Sequence, residues 1–203
     1  MPQIGKKVRI NSLRNLLVAK VTADSASALT FGTAISLGVQ SELTWGLNQV
    51  TEDLRGARGI AESDKYVDHA TWNLKHGEID LDVWALAFGG VVVQDPESAL
   101  NAADSKSLYA LKEGLSAGYI GIIGQPVTIA GGPADFYIAL LKCQVESFNP
   151  GRMGGGGWAE VEMGGRAFYT VKDEVLFMAA VCEKKADGTF AVVTTDLATF
   201  IAG

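Results

Sequence analysis

Histidine and cysteine are scarce, with two of each in 203 residues. His69 and His76 flank one strand-like stretch, and neither a nucleophile-elbow pattern nor a cysteine signature accompanies them. Cys143 and Cys182 lie far apart, each inside an apolar stretch, and read as buried reduced thiols rather than a disulfide framework. Basic residues are in the minority: 17 Lys and Arg stand against 23 Asp and Glu, a formal charge of −6, which argues against a surface that grips phosphate backbones. Long apolar runs are missing too. Val83 to Val93 is broken by Gly89 and Gly90 and falls short of the roughly 18 consecutive apolar residues that a membrane helix needs. The stretch Met1 to Ile10 carries Lys6, Lys7 and Arg9 without a following apolar segment and cleavage site, so no secretion signal is read.

What remains is an ordinary foldable composition, 48% apolar and 20% charged, with 24 glycines as its oddity. The glycines cluster at Gly89-Gly90, Gly114 to Gly124, Gly131-Gly132, Gly151 to Gly157 and Gly164-Gly165, between short apolar runs. That punctuation predicts turns, bulges and loops in one mainly β domain over 1–203.

Strand patterns run over Leu16 to Val21, Ala34 to Val39, and a stretch where Leu43, Trp45 and Leu47 alternate with Glu42, Thr44 and Asn48. Residues 1–15 read as an N-terminal arm. Val50 to Lys65 is polar and lacks a core-facing stripe, which predicts an exposed loop or long hairpin tip and the first place to seek a partner contact. Strand character resumes at Ala70 to Lys75. Then Leu81, Trp84, Ala85 and Phe88 follow helical spacing, with Asp80 as N-cap and Gly89 as stop, so 80–90 is the expected flanking helix. Residues 94–114 fit a helix from Asp95-Pro96 or a strand through Leu108 and Ala110. Further strands are expected at Tyr119 to Ile129, Phe136 to Phe148, Trp158 to Met163, Ala167 to Val171, Val175 to Cys182 and Thr189 to Thr195, with Asp187-Gly188 as the last hairpin turn.

The chemistry-bearing residue types have plainer explanations. Glu78, Asp80 and Asp82 suit the positive end of a helix better than a cation site, and their spacing is not that of an EF-hand. Gly118, Gly121 and Gly124 lack dinucleotide-fingerprint spacing, and Gly154 to Gly157 lacks the Lys-Ser/Thr ending of a phosphate loop. Trp45, Trp72 and Trp84 fall on apolar stripes and are expected in the core, whereas Trp158 follows a glycine run and suits a subunit contact. The expectation is a structural protein with no catalytic activity, cofactor or metal.

The stretch AISLGVQSELTWGLNQVTEDLRGARGIAESDKYVDHATWNLKHGEIDLDVWALAFGG resembles the N-terminal half of the major tail tube proteins of long-tailed bacteriophages. The shared features are an early strand pair, a charged loop at Leu54-Arg55-Gly56, the strand Ala70 to Lys75 and a short helix closed by Gly-Gly. The stretch ALLKCQVESFNPGRMGGGGWAEVEMGGRAFYT is similar to the family's closing strand, glycine loop and returning strands. The resemblance implies a β-sandwich or partly closed barrel of antiparallel sheets with one flanking helix. It also implies hexameric rings stacked into a tube in the virion, tape-measure, terminator and tail-tip proteins as partners, and genomic DNA passing through the lumen without specific binding. On that plan Glu52, Asp53, Arg55, Arg58, Glu62, Asp64 and Trp158 are expected at contacts between subunits or rings. Glu42, Thr44, Gln144 and Glu146 are expected to face the lumen, where acidic and neutral groups would keep DNA from sticking. The rival expectations are another ring-forming tail protein, such as a terminator or contractile-type tube subunit, and a monomeric β-sandwich that binds a small ligand through Trp158. An unrecognised hydrolase is a third.

Overall fold

The computed structural model describes residues 10–37, 42–56, 59–77, 80–94, 107–111, 117–128, 134–149 and 160–183. Eleven strands and one helix follow one another in the order β1 (Ile10–Ser25), β2 (Ala28–Phe31), β3 (Ile35–Leu37), β4 (Glu42–Gly56), β5 (Gly59–His76), α1 (Leu81–Phe88), β6 (Val91–Gln94), β7 (Ser107–Ala110), β8 (Ile120–Thr128), β9 (Ala134–Asn149), β10 (Val161–Ala167) and β11 (Phe177–Glu183). Nine strands form one antiparallel sheet in the order β2-β1-β8-β9-β10-β5-β4, with β3 also on β1 and β11 also on β9. β6 and β7 pair separately as a two-stranded flap. The mainly β, antiparallel architecture with one short flanking helix agrees with the sequence reading. The sheet does not close into a barrel, because β4 and β2 end the path with one neighbour each.

The central strands are buried on both faces, which is why they read as nearly continuous apolar runs. Leu16 and Val18 of β1, Ile120 and Ile122 of β8, and Leu140 and Cys143 of β9 join a core with Trp72 and Leu74 of β5, Met163 of β10, and Val83 and Ala87 of α1. Leu17, Ala19, Ile123, Tyr137, Ala139 and Leu141 point the other way, into a second core closed by Leu29 of β2. A bulge makes this possible: Ile120 pairs Cys143 while Ile122 pairs Leu140, so β9 gains one residue and its alternation shifts.

Asp80 caps α1 by accepting hydrogen bonds from the backbone N–H groups of Asp82 at 2.8 Å and Val83 at 3.4 Å. Gly89 closes it in the left-handed region at φ 77, its N–H donating to the Ala85 carbonyl. The fully buried helical residues are Val83 and Ala87. The predicted stripe through Trp84 is therefore rotated from the one that enters the main core. The reason is that α1 is covered on two sides, and Trp84 faces the flap and β9, edge-on to Tyr109 at 5.9 Å and to Phe148 at 5.3 Å.

Several boundaries move. Residues 10–15 belong to β1 rather than to an arm, and 1–9 lie outside the described residues. Leu108 and Ala110 are in β7, so the strand reading of that stretch holds, and Asp95-Pro96 lies outside the described residues. The expected strand Ala167 to Val171 ends at Ala167. Residues 168–176 instead form an irregular strap between β10 and β11, which lie end to end along β9. Trp158, Asp187-Gly188 and Thr189 to Thr195 lie outside the described residues.

Candidate functional site

The polar stretch over 50–65, expected as an exposed loop or long hairpin tip, is strand on both sides of a hairpin. β5 leaves β10 at the Ala70–Ala167 pair, and from there to the tip the described pairings of β4 and β5 are only with each other. This arm runs from Gln49 opposite Val67 to Gly56 opposite Gly59, about 25 Å at 3.3 Å per residue. Its root carries a bulge, since Asn48 pairs His69 and Gln49 pairs Val67, leaving Asp68 unopposed. Neighbouring side chains that point to opposite faces, such as Thr51 and Glu52 or Lys65 and Tyr66, are all exposed. At 51–53 and 63–66 both faces of the arm are exposed, while Val50 and Val67 at its root are half-buried; a lone two-stranded hairpin is marginal in water.

Of the predicted contact residues, Glu52, Asp53 and Asp64 stand exposed on the arm, and Glu52 lies directly opposite Asp64. Opposed like charges weaken a strand pair. Tyr66 relieves part of this by donating its hydroxyl to Glu52 Oε1 at 2.9 Å, and that bond and the Glu52 charge raise the phenol pKa. Arg55 and Glu62 occupy arm register positions, with side chains outside the described set, and Arg58 and Trp158 lie outside the described residues altogether.

The four predicted lumen residues share one polar face of β4-β5-β10-β9. Glu42 pairs Lys75, which pairs Glu162; Thr44 pairs Asn73; Gln144 pairs Arg166. Glu146 joins them because a second bulge in β9, between Val145 and Ser147, turns it toward Arg166. That bulge presses its backbone against Gly165, where an added Cβ would lie 1.9 Å from the Gln144 carbonyl oxygen. Gly165 is thus required by close backbone approach within a strand.

This face is not simply acidic. Arg166 donates from Nε to Glu146 Oε1 at 2.6 Å, Asn73 Nδ2 donates to Glu162 Oε1 at 2.8 Å, and Lys75 Nζ lies 4.0 Å from the same oxygen. Lys75 and Arg166 were missed by sequence reasoning, although alternation with Asn73 and with Met163 places each on the wet side of its strand. Farther along, Arg166 sits over the Phe168 ring, Phe168 meets Tyr119 edge-on, and Lys142 lies over Tyr119. Lys142 ends this row in an ion pair with Asp24 at 2.6 Å.

No protein-family model matches the chain, and no curated protein matches it. The chemistry is therefore read from the geometry alone.

His69 and His76 are seven residues apart on β5, about 23 Å along the strand, so they do not share a site. His69 Nδ1 lies 2.8 Å from Asp68 Oδ2 beside the arm bulge, and His76 is buried at the opposite end. Cys143 is fully buried, and burial pushes its thiol pKa well above the usual range, away from the reactive thiolate. Trp72 is core, but Trp45, expected there, is 36% exposed because β4 is an end strand; its ring packs on Phe177 at 4.9 Å. Among the described residues no helix is long and apolar enough to cross a membrane.

Proposed function

We propose that this chain is a self-assembling structural subunit of the phage tail tube type, whose copies join into rings that stack around a lumen. The observation that carries the reading is the arm: some 25 Å of paired backbone, exposed on both faces at 51–53 and 63–66, needs cover, and a second copy supplies it. The outer edge of β4, with Trp45 and Leu47 beside it, is unpaired among the described residues and is of the kind a neighbouring copy's strand extends. Two different surfaces on one subunit are what a ring that also stacks requires.

In this reading the polar face carrying Glu42, Thr44, Gln144 and Glu146 lines the lumen. Its cations, Lys75 and Arg166, stand beside carboxylates and give a passing phosphate backbone little free charge to bind. Tape-measure, terminator and tail-tip proteins would cap or fill the tube, and the virion tail would be its location. Arg55 and Arg58 near the arm tip would pair acidic groups on the next ring.

Sedimentation velocity over a concentration series tests the proposal, comparing the wild type with a variant in which 50–65 is replaced by a two-residue turn. The wild type should form species of ring mass and larger, and the shortened variant should stop at single rings or below. Rings that never grow in the wild type would favour a terminator-like role, and equal growth in both proteins would remove the arm from the mechanism.

A further inference from the structure

The strap 168–176 links Asp24 of β1 to Val67 of β5 through two of its residues, Val171 and Tyr169. At one end Asp24, in the β1–β2 hairpin, accepts the Val171 N–H through Oδ1 at 2.8 Å while Oδ2 holds Lys142 Nζ at 2.6 Å. Beyond Val171 the strap folds back tightly: Thr170 N–H donates to the Val175 carbonyl, and Val175 N–H donates to Thr170 Oγ1. Its turn holds Glu174 at φ 52, a left-handed conformation uncommon for a residue other than glycine, so the turn is closely specified. At the other end the Tyr169 hydroxyl donates to the Val67 carbonyl at 2.9 Å.

Val67 is the root of the arm. One residue on, Asp68 is the unopposed bulge residue, and bulges bend a strand and change its twist. Beyond this point the arm is secured by its own ladder, so its direction is set at the root. Among the described residues two features can set it: the Val67 side chain, which packs against the margin of the main core, and the Tyr169 hydroxyl on its carbonyl.

We infer that the strap is a brace that fixes the arm's direction, with Tyr169 as the positioning residue and the Asp24 ties as its anchor. The brace is a property of the single chain and stands whether or not the arm serves ring stacking. A pivot of about 20°, comparable to one step of inter-strand twist, would move Ser63, four residues out from Val67, by roughly 4–5 Å.

Pulsed electron–electron distance measurement tests this with spin labels at Ser63→Cys on the arm and Lys20→Cys on β1, in a Cys182→Ser background. Tyr169→Phe removes one hydroxyl and keeps the ring, so the fold survives and the thermal midpoint should fall by no more than about 4 °C. The expected result is a distance distribution shifted or broadened by several ångströms relative to wild type. A Tyr169→Phe distribution that superimposes on the wild-type one overturns the brace. Asp24→Asn, which keeps an acceptor for the Val171 N–H and frees Lys142, should broaden the distribution less than Tyr169→Phe. A larger effect would place the control of the arm in the ion pair and overturn the role given to Tyr169.

Discussion

Replacing Lys142 with methionine should be among the most damaging single changes to a charged residue in this chain. Asp24 and Lys142 are 7% and 14% exposed at their side chains, so their 2.6 Å contact is poorly screened by solvent. Methionine matches most of the lysine stem and leaves the buried Asp24 carboxylate without its cation, held only by backbone N–H groups of the strap, Val171 and Lys172. Stranding one member of such a pair costs about 3 kcal/mol, and for a chain this long that corresponds to a fall in Tm of roughly 6–12 °C. The double variant Asp24→Asn/Lys142→Met has no stranded charge and keeps an acceptor for Val171, so it should recover to within about 1 kcal/mol of wild type.

The same pair predicts a pH dependence. Burial by itself raises the Asp24 pKa, but the hydrogen bonds from Lys142 and the Val171 amide, together with the Lys142 charge, outweigh it and hold the carboxyl below its ordinary value. A depressed folded-state pKa gives stability that is present above the unfolded carboxylate value, about 4, and is lost as pH falls through the folded value. The difference between wild type and Lys142→Met should therefore shrink below about pH 4. Urea titrations at low protein concentration, followed by circular dichroism from pH 7 to pH 3, measure the free-energy losses and their pH dependence, and a thermal scan measures the Tm. A Lys142→Met loss under about 0.5 kcal/mol at pH 7 would refute the reasoning.

Gly165→Ala should destabilise the fold by about 1–3 kcal/mol in the same titration, because its Cβ would meet the Gln144 carbonyl oxygen at 1.9 Å; an unchanged midpoint would mean the β9 bulge yields freely. Glu146→Gln should change stability by less than about 1 kcal/mol, the pair with Arg166 being exposed at 37% and 45%, yet it leaves Arg166 without its carboxylate and should increase salt-sensitive retention on a DNA column. Asp64→Lys turns the Glu52–Asp64 opposition into an attractive pair and should slow hydrogen exchange of arm amides, for a gain of about 0.2–1 kcal/mol in the ladder. Charge reversal at both Arg55 and Arg58 should shorten tubes or lower their yield, and unchanged length and yield would end that assignment.

Sequence reasoning was most accurate where one local rule decides the outcome. Asp80 and Gly89 bound α1 as expected, because capping depends on a few adjacent residues. The alternation of Glu42 and Thr44 with Leu43 and Trp45 placed the polar face on the correct side of β4. The arm was half legible: its polar composition marked exposure, but paired strands without a buried face carry no period-two signal, so the stretch read equally as a loop or a long hairpin tip. Trp84, expected in the core, is half-buried between the flap and Phe148 of β9, because helical spacing does not say which faces of a helix a second element covers. Lys75 and Arg166 were invisible as a set because their carboxylate neighbours come from other strands. Tyr169 had no signal at all, since its partner is a backbone carbonyl 102 positions away in sequence.

The central claim is that this chain builds a tube. Negative-stain electron microscopy of the purified full-length protein over a concentration series tests it most directly. Stacked rings with an open lumen, growing longer as concentration rises, are the predicted result. Protein that is folded by circular dichroism yet stays monomeric at every concentration would contradict the claim.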